Sequence, residues 1–264
     1  LVCNLWDVNG SVSITNFQEC YNDALYYRDE IRELFRLGLV SLSERALGDN
    51  LTLAVLEKVS TFVEAAERCP SELENLPELL ADVYYGNFSL FQSLPDIWAI
   101  DQVLPIMPIH RLNEEPTRQA VIADITCDCD GKIDKFASRD GIKPTIKLHP
   151  LEESEEYYLG VFLVGAYQET LGDLHNLFGD TNVVSVSIQE DGSFDFAREF
   201  HGDSISDVLT YVEYDAKVMI EEFRKRLEQA VKKGNITAVK RKQMMKAFKD
   251  SLDGYTYFEK EDVL

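Results

Sequence analysis

A short acidic loop carries the densest group of chemically useful side chains. Cysteine and aspartate alternate over residues 127–130, directly after a β-rich run at 120–126, and Gly131 marks a turn. Loops that follow buried strands often carry functional residues on a rigid scaffold. Cys127, Asp128 and Cys129 are therefore candidates for metal binding or for catalysis.

The spacing of this loop argues against the two commonest metal sites. With Gly131 at the sixth position of an EF-hand loop, Thr126 falls at the first position and Ala137 at the twelfth, where carboxylates are required. Zinc would need two more ligands beyond the two cysteines, and no second Cys or His pair lies at short spacing. Residue types alone favour an ordinary turn over a metal site.

A second candidate region begins where another apolar run ends, at Gly165. Glycine there allows the backbone to approach a ligand, and Tyr167 could donate its hydroxyl to a phosphate oxygen, although a core tyrosine is the commoner role. His175 could act as a base for a nucleophilic cysteine, but the sequence cannot bring the two together. Aromatic residues over 87–102 fit a core as well as a site. Each signal is weak by itself.

Composition narrows the classes of partner. The 264 residues include 47 acidic and 26 basic side chains, a net charge of -21, and 45% are hydrophobic. Such a charge repels phosphate backbones and anionic lipid, so we expect neither nucleic acid nor membrane as a partner. No apolar run approaches the roughly 20 residues of a membrane helix. Five irregularly spaced cysteines argue against a disulfide framework and favour a reducing compartment, which predicts a cytoplasmic protein.

Periodicity divides the chain into zones and predicts an α+β fold. Residues 1–16 are predicted as a strand entering the β domain, and the missing initiator Met predicts that an upstream portion is absent. Helical spacing of apolar residues over 17–83 predicts a helical bundle insertion. Short apolar runs separated by turns over 84–203 predict a β-sandwich or barrel-like domain, and residues 204–264 predict a terminal helical subdomain.

Local signals predict several helix ends. Capping boxes are predicted at Ser41–Glu44 and Ser71–Glu74, and Ser204 and Thr237 are predicted helix N-caps. The segment 217–249 carries 11 Lys or Arg and 3 Glu, which we interpret as a solvated helical face rather than a nucleic-acid or membrane patch.

In order along the chain, five motifs resemble the bacterial-type biosynthetic arginine decarboxylases. They are Asn-Phe-Ser-Leu-Phe-Gln-Ser at 87–93, Trp-Ala-Ile-Asp-Gln at 98–102, Asp-Ile-Thr-Cys-Asp at 124–128, Val-Gly-Ala-Tyr-Gln-Glu at 164–169 and His-Asn-Leu-Phe-Gly-Asp at 175–180. The Cys-Asp and Gly-Ala-Tyr motifs also resemble the ornithine and diaminopimelate decarboxylases of the alanine-racemase-like fold. The resemblance covers essentially the whole chain and implies that the chain is the carboxy-terminal part of such an enzyme. The (β/α)8 barrel of that family, with its Schiff-base lysine, has no counterpart in this sequence.

The resemblance implies a specific chemistry. It implies a pyridoxal 5'-phosphate enzyme that converts L-arginine to agmatine and CO2 in polyamine biosynthesis, as a homodimer or higher homo-oligomer with active sites between subunits; Mg2+ is a further candidate by resemblance only. Cys127 is the implied proton donor, Asp128 the contact to the substrate's cationic end from across the dimer, and Tyr167 the phosphate ligand. Phe88 stands where ornithine decarboxylases have a substrate-binding Asp. Another acid must therefore help to receive the guanidinium, and Asp101 is the candidate.

Cys127 and Cys129 compete for the role of proton donor. In extended backbone the two would share a face, so geometry does not choose between them. Resemblance favours Cys127, because Ile125 and Thr126 precede it as in the family motif. A thiol suits the role, since its ordinary pKa of about 8.5 leaves it mostly protonated at neutral pH.

Two alternatives stay open on the sequence. One is a decarboxylase of another basic amino acid, such as ornithine, lysine or diaminopimelate. The other is a non-catalytic acidic interaction module that has lost its barrel. An upstream reading frame encoding a barrel with a lysine would favour an enzyme, whereas a start codon just before Leu1 would favour the module.

Overall fold

A computed structural model of the chain describes residues 1–65, 70–152 and 155–259. The α-helices in these ranges are α1 (Val2–Ser11), α2 (Phe17–Arg36), α3 (Leu42–Ala65), α4 (Leu76–Leu79), α5 (Leu90–Ser93), α6 (Pro95–Ile100), α7 (Ala166–Leu171), α8 (Ile205–Tyr211), α9 (Ala216–Lys232) and α10 (Ala238–Leu252). The strands are β1 (Asp82–Tyr85), β2 (Ile106–Pro108), β3 (Arg118–Ala123), β4 (Lys132–Ile133), β5 (Phe136–Ser138), β6 (Gly141–Lys143), β7 (Ile146–Leu148), β8 (Leu159–Val161), β9 (Val183–Ile188) and β10 (Phe194–Phe200). Short 3-10 turns lie at Ser71–Leu73 and His175–Leu177.

The mixture of helices and strands confirms the predicted α+β class, and no (β/α)8 barrel is present in the described ranges. The chain forms two compact units. The first comprises Leu1–Val83, Pro108–Val121 and Asp134–Tyr158, and the second Tyr84–Met107, Ile122–Ile133 and Leu159–Leu264. Neither unit is a single contiguous segment, so the predicted division at 84 and 204 differs from the observed grouping.

Helices α1, α2 and α3 pack together in the first unit. Its buried core contains Leu5, Ile31, Val55 and Val59. The predicted strand at residues 1–16 is wrong, because the chain forms α1 there. Apolar residues recur every three positions at 2, 5 and 8, a helical period that a short apolar run does not distinguish from a strand, and burial of Leu5 in the bundle stabilises the helix.

One predicted capping box of the first unit is confirmed and one is wrong. The Ser41 backbone N–H donates to Glu44 Oε2 at 2.8 Å, and the Glu44 N–H donates to Ser41 Oγ at 3.3 Å. Ser71 begins only a 3-10 turn and makes no cap. Pro77 falls in the first turn of the separate helix α4, and a proline in a helix interior would remove one of its hydrogen bonds.

Strands in each unit pair with antiparallel neighbours. In the first unit residues 118–120 of β3 pair with β7, and β5 pairs with β6. In the second unit Ile122 and Ala123 at the end of β3 pair with β4. Strands β9 and β10 form a two-stranded ribbon. The end of β3 matters most for function, because the acidic loop follows it.

Two of the terminal helices of the second unit begin at their predicted caps, Ser204 and Thr237. Ser204 caps α8 in a full capping box, Asp215 caps α9 and Thr237 caps α10. The rings of Phe223 and Phe248 pack between α9 and α10 in a tilted arrangement, with ring centroids 4.3 Å apart. The basic side chains of 217–249 are exposed, which confirms the solvated face.

None of the helices in the described ranges is both long enough and apolar enough to cross a bilayer. Cys3, Cys20, Cys127 and Cys129 are free thiols, and Cys69 lies outside the described residues.

Candidate active site

The acidic loop is organised by a buried carboxylate that precedes it, Asp124. Its side chain is 2% exposed. Asp124 Oδ2 accepts from the Leu90 N–H at 2.8 Å, and Oδ1 accepts from the Thr126 N–H at 3.0 Å and the Thr126 hydroxyl at 2.8 Å. A Cβ atom at Gly131 would lie 2.2 Å from Asp124 Oδ1, so only glycine fits there. Asp124 therefore fixes the path of the loop.

The segment before α5 runs beside the start of the loop. The Gly86 N–H donates to the Ala123 carbonyl at 2.8 Å, and the Ile125 N–H donates to the Phe88 carbonyl at 3.2 Å. Phe88 is the position where the resemblance would place a substrate-binding Asp in ornithine decarboxylases. In this chain its backbone helps to position the residues that lead to Cys127.

Cys127 is exposed and contacts a residue far away in the sequence. Asn176 Nδ2 donates to Cys127 Sγ at 3.0 Å. Asn176 lies in the 3-10 turn His175–Leu177, with a left-handed φ of 58°. The sulfur thus has a fixed polar neighbour while the thiol stays accessible to a substrate.

Asp128 contacts the same turn. Its Oδ2 lies 3.3 Å from His175 Nε2, and its Oδ1 accepts from the Asp130 N–H at 3.0 Å. Both side chains are about one third exposed. The structure therefore places His175, the candidate base, beside Asp128, and places Asn176 beside the thiol. Sequence reasoning missed the role of Asn176, although the His-Asn-Leu-Phe-Gly motif contained it.

A row of aromatic rings packs behind His175. The His175 and Phe91 ring centroids lie 4.3 Å apart, and Phe91 meets Trp98 edge to face at 5.3 Å. Trp98 belongs to α6, and the C-cap residue of this helix, Asp101, has a left-handed conformation with φ of 57°. Phe91 and Trp98 thus pack beside the site. From the sequence, their motifs could have belonged either to the core or to the site. The assignment of Asp101 to the substrate guanidinium stays a prediction.

The segment that follows α10 is hydrogen-bonded to Gly179, which lies just after the turn His175–Leu177. The Gly179 N–H donates to Thr256 Oγ1 at 3.1 Å, and the Tyr257 hydroxyl donates to the Gly179 carbonyl at 2.8 Å. Burial raises the pKa of Tyr257, which keeps the phenol protonated as a donor. The terminal helical region is therefore connected directly to the candidate site.

Tyr167 lies in α7, which begins directly after Gly165. Its side chain is 76% exposed, so Tyr167 is not a core tyrosine in this chain. A cavity of about 270 Å³ is lined by the neighbouring residues Gly165, Ala166 and Gln168 and by Asp180. An exposed phenol beside a glycine-led turn can donate to an external phosphate.

One group of potential metal ligands occurs in the described part of the chain. Ligand atoms of Asp128, Cys129 and Asp130 lie within 4.8 Å of one another. The group excludes Cys127, offers only three side chains and is largely exposed. The Cys127–Cys129 zinc pair considered from the sequence gains no fourth ligand from it.

Comparison with known proteins defines the class. Residues 1–77 match the arginine decarboxylase helical bundle domain, and residues 205–258 match the arginine decarboxylase C-terminal helical extension. Residues 1–16 therefore belong with the bundle rather than with the strands.

The relatives define the family more narrowly. The chain is 44% identical to a biosynthetic arginine decarboxylase of a Nostoc species over 96% of its own length and 37% of the relative's. It is 45% identical to that of Rhodopirellula baltica over 97% of this chain and 38% of the relative. The crystal structure of the biosynthetic arginine decarboxylase of Campylobacter jejuni matches with a TM-score of 0.80 and 35% identity, over 98% of this chain and 40% of that one. The chain belongs to the biosynthetic arginine decarboxylase family and spans about two-fifths of the length of these relatives.

Proposed function

We propose that this chain forms part of an enzyme that decarboxylates L-arginine at its α carbon, releasing CO2 and giving agmatine for polyamine biosynthesis. The observation that carries the proposal is the convergence of Cys127 and Asp128 on the turn that contains His175 and Asn176. These are the motifs by which the sequence resembles arginine decarboxylases, and the relatives carry that name.

The residues present suit the phosphate end of pyridoxal phosphate. The exposed phenol of Tyr167 follows the Gly165 turn, and phenol and backbone N–H groups are suitable donors to a phosphate. When bound, the cofactor accepts the electron pair left by the departing carboxylate. The lysine that would anchor it belongs, by the resemblance, to the barrel.

The chain's own residues supply the remaining steps. Cys127 gives a proton to the α carbon after CO2 leaves, since its thiol is accessible and held by one contact. Asp128, held by His175, receives the cationic end of the substrate. Asp101 helps Asp128, because carboxylates match the forked donors of a guanidinium.

The active protein is a cytoplasmic homodimer or larger homo-oligomer. The ribbon β9–β10 supports assembly with a second copy, because it has one apolar face exposed to solvent. That face consists of Val184, Val186, Ile188, Phe194 and Phe196, which are 48–79% exposed. Contiguous exposed apolar surface commonly marks an interface. Mg2+ is carried over by resemblance, with no residue of this chain assigned to it.

The test is a substrate comparison on the full-length enzyme loaded with pyridoxal phosphate. Arginine, ornithine, lysine and diaminopimelate are each supplied, and CO2 release and amine product are measured. We expect arginine to give the highest kcat/KM by at least about 100-fold, because a site with acceptors for a guanidinium leaves them unpaired with the other substrates. Preference for another basic amino acid would support the sister decarboxylase instead, and no turnover with any would support a non-catalytic module.

A further inference from the structure

The turn His175–Leu177 touches both side chains that we propose to act on the substrate. Asn176 Nδ2 lies 3.0 Å from Cys127 Sγ, and His175 Nε2 lies 3.3 Å from Asp128 Oδ2. We infer that Asn176 is a positioning residue for the Cys127 thiol, setting the direction in which that thiol delivers its proton. This inference rests on the proposed function and adds a role to it.

Hydrogen-bond chemistry explains how a carboxamide can direct a thiol. A thiol carries a single proton, and rotation about its Cβ–Sγ bond spreads that proton over several directions. When the Asn176 N–H donates to Sγ, the sulfur is held as an acceptor on the side of the turn. The S–H proton then points away from Asn176, toward the accessible side of Cys127.

The backbone conformation of the turn indicates that the contact between Asn176 and Cys127 is a defined part of the fold. Asn176 has φ of 58° and Leu177 has φ of 63°, both in the left-handed region. That region is unfavourable for any residue with a side chain, less so for asparagine than for leucine. Contacts at both ends offset that cost, with the His175 ring against Phe91 on one side and Gly179 bonded to the segment after α10 on the other.

Two substitutions separate the carboxamide from the backbone conformation. Asn176→Gly keeps the left-handed conformation and removes the side chain. Asn176→Asp keeps the shape of the side chain but replaces the N–H donor with an acceptor. The matched control is Asn113→Ala, which removes the same carboxamide from an exposed loop position in the first unit.

The primary experiment uses the full-length enzyme with pyridoxal phosphate and L-arginine. It measures kcat, KM and the fraction of turnovers that end in decarboxylation-dependent transamination, the outcome when the proton misses the α carbon. We expect both Asn176 variants to raise that fraction about ten-fold and to lower kcat about ten-fold or more, with KM changed less than about three-fold. Asn113→Ala should match the parent.

A second measurement does not depend on activity. Hydrogen–deuterium exchange of the same full-length proteins should show amides in residues 124–131 exchanging about five-fold faster in Asn176→Gly, as expected for the loss of one hydrogen bond. Unchanged transamination in both variants, even with a lowered melting temperature, would leave Asn176 a purely structural residue and overturn the inference. If the parent shows no arginine turnover, the proposed function fails, and unchanged exchange at 124–131 would then separately refute the contact.

Discussion

At the scale of residues, the site separates side chains that hold the loop from side chains that can react. Asp124 is buried and accepts hydrogen bonds from Leu90 and Thr126, so the role of its carboxylate is structural. Cys127 and Tyr167 are exposed, and Asp128 is partly exposed. Substitution of these exposed residues should therefore lower the activity of the full-length enzyme far more than the stability of the fold.

Cys127→Ala in the full-length enzyme should lower turnover by roughly 100-fold or more, the range expected when a general acid is lost. Some turnovers should be diverted to decarboxylation-dependent transamination, because the thiol proposed to return the proton to the α carbon is absent. Cys129→Ala is the matched control and should stay within a few-fold of the parent, since Asn176 contacts only Cys127 of the two in the described structure. Steady-state kinetics and the yield of pyridoxamine phosphate measure both effects. The opposite ranking of the two variants would show the assignment to be wrong.

Tyr167→Phe should weaken binding of the cofactor by about 1 to 3 kcal/mol, the worth of one hydrogen bond to a charged acceptor. The melting temperature of the protein without cofactor should change little, because the Tyr167 side chain is 76% exposed. Cofactor titration followed by absorbance and a thermal unfolding scan measure the two quantities. Unchanged cofactor affinity together with a large fall in melting temperature would instead make Tyr167 a structural residue.

At the scale of elements, local sequence signals predicted helix ends well but predicted poorly the elements whose type depends on tertiary packing. Ser204 and Thr237 cap helices as predicted, because a cap depends on a few neighbouring residues. Residues 1–16 were mispredicted, because the burial of Leu5 depends on helices that come later in the chain. The pairing of Cys127 with Asn176 joins positions 49 apart, so no local pattern could reveal it. The motifs identified the site's parts, and only the fold brought them together.

Ser204→Ala should lower the free energy of unfolding by about 1 kcal/mol at neutral pH, since it removes a helix N-cap. Hydrogen bonds from the Ser204 hydroxyl and backbone hold the pKa of Asp207 below its ordinary value of 3.8. A depressed carboxyl pKa contributes stability above that ordinary value, and the contribution is lost as the pH falls below it. The difference between variant and parent should therefore shrink in acid. Urea unfolding at neutral and acid pH measures it, with Ser187→Ala, an exposed serine of β9, as control. A difference that grows in acid would contradict this reasoning.

Tyr257→Phe tests the connection between the terminal helical region and the site. Loss of its hydroxyl leaves the Gly179 carbonyl without that donor at a buried position, which should cost about 1 to 3 kcal/mol of stability. Because Gly179 closely follows the turn His175–Leu177, amides of residues 175–180 should exchange faster in the full-length protein. Tyr214→Phe, an exposed tyrosine of the same unit, is the control. Unchanged exchange over 175–180 would show that the segment after α10 does not support the turn.

At the scale of the whole molecule, the described structure would supply one part of the proposed catalytic site. The chain spans about two-fifths of the length of its relatives, and the resemblance assigns the Schiff-base lysine to the barrel. The proposed proton donor Cys127, the substrate-binding residue Asp128 and the phosphate-binding residue Tyr167 all lie in the second unit. An exposed apolar face on β9–β10 is consistent with a unit that functions only inside a larger assembly.

The 264-residue chain by itself should therefore release no CO2 from L-arginine and form no stoichiometric Schiff base with pyridoxal phosphate. Its lysines include those of the exposed segment 217–249, and such solvated amines react with aldehydes weakly and without selection among sites. After borohydride reduction, peptide mass spectrometry should show scattered, substoichiometric pyridoxyl adducts, whereas the full-length enzyme should show one adduct on one barrel lysine. CO2 release from carboxyl-labelled arginine provides the parallel activity measurement. A single lysine of this chain modified in one-to-one ratio would refute the prediction, because it would place the cofactor's anchor among the residues present here.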